Sequence, residues 1–488
     1  MLTYSSEDRA ILARHVTNID GDVYGITNLP EEVVAVIFAY VSRSDRSFKE
    51  NLLRLIKQGD LREYPEDSAS ARYASAVQRA SEFHSRWVVS YGHSSVAEHA
   101  VAHVGVERIS RLASAELELA NPFLSFTEYS QRYQKPRRGH FYVPSELSTD
   151  LAQRYRQAMD ALYDIYEMLY KGLVSYLDGT LPGLGNETPA ARQGRVARLA
   201  FEDARYALPL STLTSLGMTG NGRALRDAIA LLGASTVTEI RLLSERLTEE
   251  ITKLLPTLLR HSSPSEYQLG WYRLWQQLVD GSQPVHPAKQ GAQTQLLDFT
   301  GRGTQDPEET ALQVMAQAMA ASGTPISDTR KYLQVGLANL GPHDVPPAAF
   351  HWIRYDCLFT LSEAAWHQLL RHCRGMHFQW RPPEVSNGYT VPPNVTAAGL
   401  DHLLDRAVAV SADLYHLLEC EAPGTSSYAV INAHRRRVRS EFDLRQLYHL
   451  VNLRTTSQAQ WDIRRVVTQL WDQVLAVHPQ LANQAQRT

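Results

Sequence analysis

The sequence predicts an α+β protein built from two related domains in tandem, each with a small antiparallel sheet carried by long helices. Three observations lead to this prediction. The chain has 488 residues, which is more than one hydrophobic core usually serves, so we expect two domains. Most apolar residues recur with helical spacing, and few segments alternate with the period of a strand. Several segments of the first half also have counterparts in the second half, in the same order.

Individual helices and strands are predicted from the spacing of apolar residues. A proline followed by acidic residues begins a helix at Pro30 that runs to Val41, and the same signal recurs at Pro307. Helical spacing predicts helices over 65–86, 105–120, 150–177, 188–206, 222–254, 308–321, 401–419 and 443–475. Alternation predicts strands over 100–106, 295–299 and 350–358.

The repeat itself is carried by three pairs of segments. In chain order they are the helix starts at Pro30 and Pro307, the segments 92–99 and 341–347, and the triplets 239–241 (Glu-Ile-Arg) and 462–464 (Asp-Ile-Arg). We therefore expect one domain over 1–261 and a second over 291–488. The segment 262–290 contains turn-forming residues and a Trp-rich helical piece, and we interpret it as a linker.

The composition narrows the class of function. The 49 basic and 52 acidic residues give a net charge of −3, which argues against a general nucleic-acid-binding protein but permits arginine pockets for phosphorylated metabolites. The three cysteines are too few for a disulfide framework or a four-cysteine zinc site, so we predict no metal site and a reducing compartment. No apolar run approaches the ~20 residues of a membrane span. A soluble cytoplasmic protein is expected.

The segment 125–133 is a candidate anion-binding turn. It follows an apolar-periodic helix that is broken at Asn121-Pro122. Ser130 and Arg132 lie two residues apart in a non-helical stretch, so a hydroxyl and a guanidinium could meet one phosphate. Alternatively, Glu128 and Arg132 form a surface ion pair beside a loop.

Taken together, the motifs resemble those of the flavin-dependent thymidylate synthases, with one family domain in each half and nearly the whole chain covered. In the first half the resemblance rests on segments 39–45, 92–99, 125–133, 204–209 and 221–223. In the second half it rests on segments 368–372, 443–449 and 452–464. Any one of these motifs is modestly specific, but their ordered set is strong.

The two halves depart from the family pattern in complementary ways. The family's Arg-His-Arg hallmark is replaced by Ala120-Asn121-Pro122 in the first half, whereas Arg371-His372-Cys373 keeps most of it in the second. Conversely, the second-half loop 376–383 reads Met-His-Phe-Gln-Trp-Arg-Pro-Pro, and the Glu, Ser and Arg that the first half retains are absent from their expected positions. The late family arginine survives as Arg454 but is replaced by leucine in the first half, and the phosphate-side arginine survives as Arg205 without a second-half counterpart.

This complementarity implies a fused pseudo-dimer with one composite active site. On one side it contains Gln368, Arg371, His372 and Arg454, and on the other Glu128, Ser130, Arg132 and Arg205. The resemblance implies conversion of dUMP to dTMP with FAD as cofactor, NADPH as reductant and methylenetetrahydrofolate as one-carbon donor. Arg454 would be the catalytic residue that stabilises negative charge on the uracil ring. The other members, except His372, would bind the substrate.

The residues implied in flavin binding are spread over both halves. They are Ser42, Ser95, Glu98, Asn221, Arg223, Arg371, His372, Arg445 and His449. The family is tetrameric with one domain per chain, so we expect a homodimer that forms a pseudo-tetramer. Small molecules (dUMP, folate and NADPH) are the expected partners, without nucleic acid or membrane.

Several alternatives remain open at this stage. His372 beside Cys373 could be a metal or thiol site, although no partner ligand lies at zinc spacing. The basic run 434–439 is interpreted as a solvated or interface helix rather than a nucleic-acid patch. At the level of function, the alternatives are a diverged flavin-dependent enzyme that modifies another pyrimidine nucleotide and a nucleotide-binding pseudoenzyme.

Overall fold

The computed structural model describes residues 4–29, 31–41, 46–57, 94–132, 134–259, 261–280, 294–320 and 328–487. The helices are α1 (Ser6–His15), α2 (Glu31–Val41), α3 (Phe48–Lys57), α4 (Arg111–Leu119), α5 (Thr149–Thr180), α6 (Pro189–Ala204), α7 (Gly222–Gly233), α8 (Thr238–Thr252), α9 (Glu266–Asp280), α10 (Pro307–Ala320), α11 (Thr329–Leu337), α12 (Glu363–Leu369), α13 (Pro393–Ala397), α14 (Asp401–Glu421), α15 (Leu444–Arg454), α16 (Trp461–Val477) and α17 (Pro479–Ala482). The strands are β1 (Val101–Ser110), β2 (Ser125–Glu128), β3 (Leu213–Asn221), β4 (Thr294–Phe299), β5 (Arg354–Ser362), β6 (Met376–Trp380) and β7 (Arg435–Asp443). The predicted helix over 65–86 lies outside the described residues, and so does Ser42, which is predicted to bind flavin.

The chain divides into two compact units that interleave along the sequence. The first comprises Met1–Glu107, Glu116–Glu128 and Ser215–Gln276, and the second comprises Arg108–Ala115, Tyr129–Thr214 and Gln277–Thr488. The second unit therefore contains a long stretch of the first half of the chain together with nearly all of the second half. Among the helices that the structure describes, none combines the length and apolarity that a membrane span requires.

In the first unit, helices pack beside a small sheet whose strand order is β1-β3-β2. β2 runs antiparallel to β3, from Ser125 opposite Thr219 to Glu128 opposite Leu216. The N-terminal helices α1, α2 and α3 bury a cluster that includes Leu12, Ile37 and Leu52. This burial supplies the hydrophobic stabilisation that short helices lack by themselves.

The second unit is organised around an antiparallel sheet with the strand order β4-β5-β7-β6. β5 and β7 pair over their whole length, from Arg354 opposite Asp443 to Ser362 opposite Arg435. Alternate residues of β7 are buried, so one face of the strand lies against helices. The long helix α5 contributes Tyr155, Tyr163 and Tyr166 to the core, each nearly inaccessible to solvent.

The repeated order of elements confirms the predicted tandem of α+β domains. The strand order β1-β3-β2 in the first half recurs as β5-β7-β6 in the second half. Ser110 ends β1 and its hydroxyl accepts a hydrogen bond from the N–H of Ala113, as Ser362 at the end of β5 does from Ala365. Asn221 and Asp443 likewise end the central strands and cap the helices that follow.

Several elements differ from the sequence prediction. The basic run 434–439 is not a helix: it lies largely in β7, where Arg436, Val438 and Ser440 are buried and the residues between them are less buried. The predicted helix 105–120 is strand as far as Ser110 and helix from Arg111. The predicted helices 222–254 and 443–475 are each two helices, interrupted over 234–237 and 455–460. Strands β2, β3 and β6 were not predicted.

Other predictions agree closely with the structure. The helices expected over 150–177, 188–206, 308–321 and 401–419 correspond to α5, α6, α10 and α14. The strands expected over 100–106 and 295–299 correspond to β1 and β4, and the strand expected over 350–358 is shifted to Arg354–Ser362. The Trp-rich piece of the interpreted linker is helical, as α9.

Candidate functional site

The second unit brings together most of the residues predicted to bind the substrate. Ser130 and Arg132 lie in the loop after β2, and Arg205 begins a short 3-10 turn that follows α6. Arg371 and His372 lie in a similar turn directly after α12, and Arg454 is the last residue of α15. Gln368 lies in α12 itself. Glu128 ends β2 and belongs to the first unit.

Arg132 is held by one residue from each half of the chain. Its Nε donates to Glu202 Oε2 at 3.0 Å, and its Nη2 donates to the main-chain oxygen of Gln458 at 3.2 Å. The hydroxyl of Ser130 accepts from the N–H of Arg132 at 3.3 Å, which tightens the loop. All four residues lie in the second unit. Glu202 was not predicted, since the sequence offers no signal that links it to a loop 70 positions earlier.

Arg454 determines which nitrogen of His372 carries the proton. Its Nε donates to His372 Nε2 at 2.9 Å, and its Nη2 donates to the main-chain oxygen of Gln368 at 3.1 Å. Because His372 Nε2 accepts, the imidazole proton is on Nδ1. Burial, followed by the charge of Arg454, holds the pKa of His372 well below its ordinary value, so the ring is neutral. Among the described residues, Nδ1 is buried and has no hydrogen-bond partner.

Arg205 also has an unused donor. The residue is 6% exposed, and its Nε donates to the main-chain oxygen of Glu202 at 3.2 Å. Its Nη2 is buried without a hydrogen-bond partner within the described part of the chain. Burial lowers the pKa of Arg205, but a guanidinium stays protonated at neutral pH. A buried cation with an unpaired donor is expected to meet an acceptor supplied by a ligand.

The arginines of this site repel one another. Burial, together with the charges of Arg371 and Arg132, lowers the pKa of Arg454 to about 10. Burial is also the main cause of the lowered pKa of Arg205, and Arg132 adds to it. An anion placed among these side chains would relieve the repulsion, as a phosphate group would.

A buried hydrogen-bond network connects Gln460, Tyr206, Asp462 and Ser362 next to Arg205. Gln460 Nε2 donates to the hydroxyl of Tyr206 at 3.0 Å, which in turn donates to Asp462 Oδ2 at 3.1 Å. Ser362 donates to the same carboxylate oxygen at 2.5 Å. Tyr206 is the neighbour of Arg205, and Ser362 caps α12, which carries Gln368. The network therefore joins the turn at Arg205 to the helix on the opposite side of the site.

A second buried carboxylate belongs to the same region. Asp203 accepts hydrogen bonds from Asn394 Nδ2 at 2.7 Å and from Trp461 Nε1 at 2.8 Å. Burial raises the pKa of Asp203 to about 6 despite these bonds. Trp461 also stacks on Tyr206, with ring centroids 5.6 Å apart.

The residues predicted to bind flavin fall in both units. In the second unit, Arg445 Nη1 lies 2.7 Å from His351 Nε2, and the rings of His372 and His449 are 5.4 Å apart. α15 carries Arg445, His449 and Arg454. In the first unit, the carboxylate of Glu98 pairs with Arg223 at 2.7 Å. Asn221 caps α7, and Ser95 lies in the turn Ser94–Glu98.

Comparisons with known proteins complete this description. A family model described as "Thymidylate synthase complementing protein" matches residues 27–257 and 305–480. A "UPF0159 protein" of Chlamydia muridarum is 24% identical over 511 residues, which cover 98% of this chain and 94% of that relative. A flavin-dependent thymidylate synthase of Sulfurisphaera tokodaii is 28% identical over 181 residues, which cover 37% of this chain and 61% of that relative. A crystal structure of the Helicobacter pylori flavin-dependent thymidylate synthase with FAD and dUMP has a TM-score of 0.30 and 14% identity, over 40% of this chain and 99% of that one.

Proposed function

Because the chain belongs to the thymidylate synthase complementing protein family, the flavin-dependent thymidylate synthases, we propose that it converts dUMP to dTMP. In this proposal methylenetetrahydrofolate donates the one-carbon unit, NADPH is the reductant and FAD is the cofactor. The reaction takes place at one composite site, and all its assigned substrate-binding residues except Glu128 belong to the second unit. The protein is cytoplasmic and assembles as a homodimer.

One observation carries the proposal: side chains that the two halves retained separately lie together in the second unit. Arg132, from the first half, donates to the main chain of Gln458 in the second half at 3.2 Å. The charges of Arg132 and Arg371 both act on Arg454. Random decay of two copies would leave the surviving residues scattered, whereas one maintained site requires them to meet.

The charged residues are assigned to different parts of the substrate. Arg132 and Arg205, with the hydroxyl of Ser130, supply a positive pocket for the phosphate of dUMP. Gln368, Arg371 and Glu128 are also assigned to the substrate. Arg454 is assigned to the uracil ring, where a buried guanidinium stabilises the negative charge that makes C5 nucleophilic.

The second-unit residues assigned to FAD fit a ligand with acceptor atoms. His372 keeps a buried Nδ1–H without a partner among the described residues, and Arg371, Arg445 and His449 lie on the adjoining turn and helix. When bound, FAD supplies the hydride that completes the methyl group. Ser42, Ser95, Glu98, Asn221 and Arg223 are assigned to flavin binding in the first half.

The decisive experiment is release of tritium from C5-labelled dUMP in the presence of FAD, NADPH and methylenetetrahydrofolate. We expect release by the wild-type protein, and its abolition in both Arg132→Ala and Arg454→Ala. Arg138→Ala is the matched control, because Arg138 is half-exposed and pairs with Asp164 at the surface. Substantial activity in either of the first two variants would end the composite-site proposal.

Position 373 favours a second candidate. Cys373 replaces the last arginine of the family hallmark directly beside His372, which removes one positive charge where flavin and nucleotide would meet. The candidate is a flavin-dependent enzyme that modifies another pyrimidine nucleotide. Protein that binds FAD and a pyrimidine nucleotide but releases no tritium from dUMP would favour it, whereas protein that takes up no FAD would exclude both candidates.

The proposed assembly has its own test. A homodimer would combine its domains into a pseudo-tetramer, and light scattering measures the mass directly. The expected mass is twice the 54.9 kDa of the chain. A monomer at assay concentration would contradict the homodimer.

A further inference from the structure

We propose that Gln460 is a positioning residue, which turns the side-chain amide of Gln368 so that the amide oxygen, and not the nitrogen, is presented to the nucleotide. Gln368 would then read a hydrogen-bond donor on the nucleotide rather than its phosphate. This inference rests on the proposed function, because it assumes that the composite site binds a pyrimidine nucleotide.

The orientation of Gln460 is fixed by its neighbours. The side chain is fully buried, and it accepts hydrogen bonds from the main-chain N–H groups of Asp462 at 3.1 Å and Ile463 at 3.2 Å. Main-chain N–H groups only donate, so the atom that faces them must be Oε1. Nε2 then faces the hydroxyl of Tyr206.

The orientation of Gln368 follows from that of Gln460. Its amide group lies 3.3 Å from Gln460 Oε1 and 3.3 Å from the main-chain oxygen of Ala364. Both neighbours are oxygens that only accept, so the Gln368 atom facing them must be Nε2, and both of its hydrogens are used. The carbonyl oxygen of the amide is what Gln368 can offer to a ligand.

An amide oxygen suits some parts of a nucleotide and not others. A phosphate dianion presents acceptors, so it would leave the Gln368 oxygen facing like partial charge. The N3–H of a pyrimidine and a sugar hydroxyl both present a hydrogen that Gln368 can accept. The main-chain oxygen of Gln368 already accepts from Arg454, the residue assigned to the base.

The first half of the chain supports a link between the two glutamines. Val237 stands two residues before Glu239-Ile-Arg241, where Gln460 stands before Asp462-Ile-Arg464. Val237 makes no side-chain capping bond, yet α8 forms. The stretch Glu116-Leu117, which corresponds to Gln368, also has no glutamine. The helix therefore does not need a glutamine cap, and the two glutamines are present or absent together.

The experiment measures dUMP binding by calorimetry on the full-length, FAD-loaded protein. Gln460→Ser keeps a side chain that caps α16 well but is too short to reach Gln368. Loss of one neutral hydrogen bond predicts dUMP binding weaker by about three- to tenfold in Gln460→Ser and in Gln368→Ala. The double variant should be no weaker than Gln368→Ala, because Gln460 acts through Gln368. Gln157→Ser, on the exposed side of α5, is the matched control and should leave affinity unchanged.

Two analogues identify the donor that Gln368 reads. If it reads the base, Gln368→Ala should not weaken binding of N3-methyl-dUMP, and if it reads the sugar, it should not weaken binding of the 2′,3′-dideoxy analogue. Equal weakening for dUMP and both analogues would place Gln368 at the phosphate and overturn the inference. Additive losses in the double variant would also overturn it. Absence of dUMP binding by the wild-type protein would instead overturn the proposed function, and this inference with it.

Discussion

Replacing Arg205 by methionine should weaken nucleotide binding without destabilising the fold. Methionine fills a similar volume with a flexible apolar chain but has no charge and no donor. Arg205 is 6% exposed and its Nη2 has no partner among the described residues. The Arg205 side chain therefore lowers the stability of the unliganded protein, as residues of binding sites often do.

The stability change can be estimated from the contacts. A buried donor without a partner costs about 1–3 kcal/mol, and methionine removes that cost. It also removes an attraction to Glu202 and a repulsion from Arg132, which act in opposite directions. The variant loses the bond from Nε to the main-chain oxygen of Glu202, which is worth about 1 kcal/mol. The balance predicts a free energy of unfolding that is unchanged or up to about 2 kcal/mol higher.

The binding change has the opposite sign. A charge-assisted hydrogen bond to phosphate contributes about 1.5–3 kcal/mol, so dUMP should bind about 10- to 150-fold more weakly to Arg205→Met. Thermal unfolding with and without dUMP measures both effects, because a ligand of the native state stabilises it by an amount that rises with the logarithm of the ligand concentration divided by its Kd.

The control for this experiment is Arg138→Met. Arg138 is 52% exposed and pairs with Asp164, so its replacement should change stability by less than about 1 kcal/mol and leave dUMP affinity alone. A loss of more than about 3 kcal/mol in Arg205→Met, the size expected for a broken buried ion pair, combined with unchanged dUMP affinity, would refute our reasoning. Arg205 would then be a structural residue.

Two further predictions concern buried carboxylates in the second unit. The pKa of Asp203 is raised from 3.8 to about 6 by burial, so the folded state holds a proton that the unfolded state has already released between these values. Stability relative to Asp203→Asn should therefore rise by up to about 3 kcal/mol as pH falls from 7 to 4, and pH-independent differences in denaturant unfolding would contradict this. Glu363 forms a buried pair with Arg436, with side chains 0% and 4% exposed, so Glu363→Gln should cost about 3–5 kcal/mol. The control is Asp356→Asn, which removes the partner of Arg439, a side chain that is 63% exposed. Its cost should stay below about 1 kcal/mol, and similar costs for both variants would be inconsistent with our explanation.

The sequence predicted the elements with a strong period and missed those without one. α5 was found because apolar residues recur along its whole length. β3 was missed because Leu213–Asn221 contains two glycines, and its apolar residues are leucine and methionine rather than valine, isoleucine or an aromatic residue. β7 was misassigned because its charges suggested a solvated helix, whereas Arg436 is buried against Glu363 and only the tertiary partner explains it.

The candidate site, too, could be predicted only in part from the sequence. Its arginines were identified because they stand in motifs, and the second unit contains Arg132, Arg205, Arg371 and Arg454. The groups that hold them were not identified, because their roles depend on contacts between distant parts of the chain. Gln460, for example, meets Tyr206 across 254 positions. No local pattern specifies such a pair, although both residues lie within or beside the motifs.

The family residues that the first half lacks lead to a last prediction. Restoring its hallmark with Ala120→Arg and Asn121→His should not create a second active site, because the losses there extend to the leucines corresponding to Arg454 and to Val237 in place of Gln460. The second-half loop 376–383 also has no serine, and its one arginine, Arg381, does not stand at the position of the motif that such a site would need. The test is tritium release from C5-labelled dUMP in an Arg454→Ala background, where the composite site is inactive. If the restored hallmark regains activity, the second site was inactive only because its Arg-His-Arg motif had changed. The complementary losses in the two halves would then reflect recent decay, and not one shared site that is maintained as a unit.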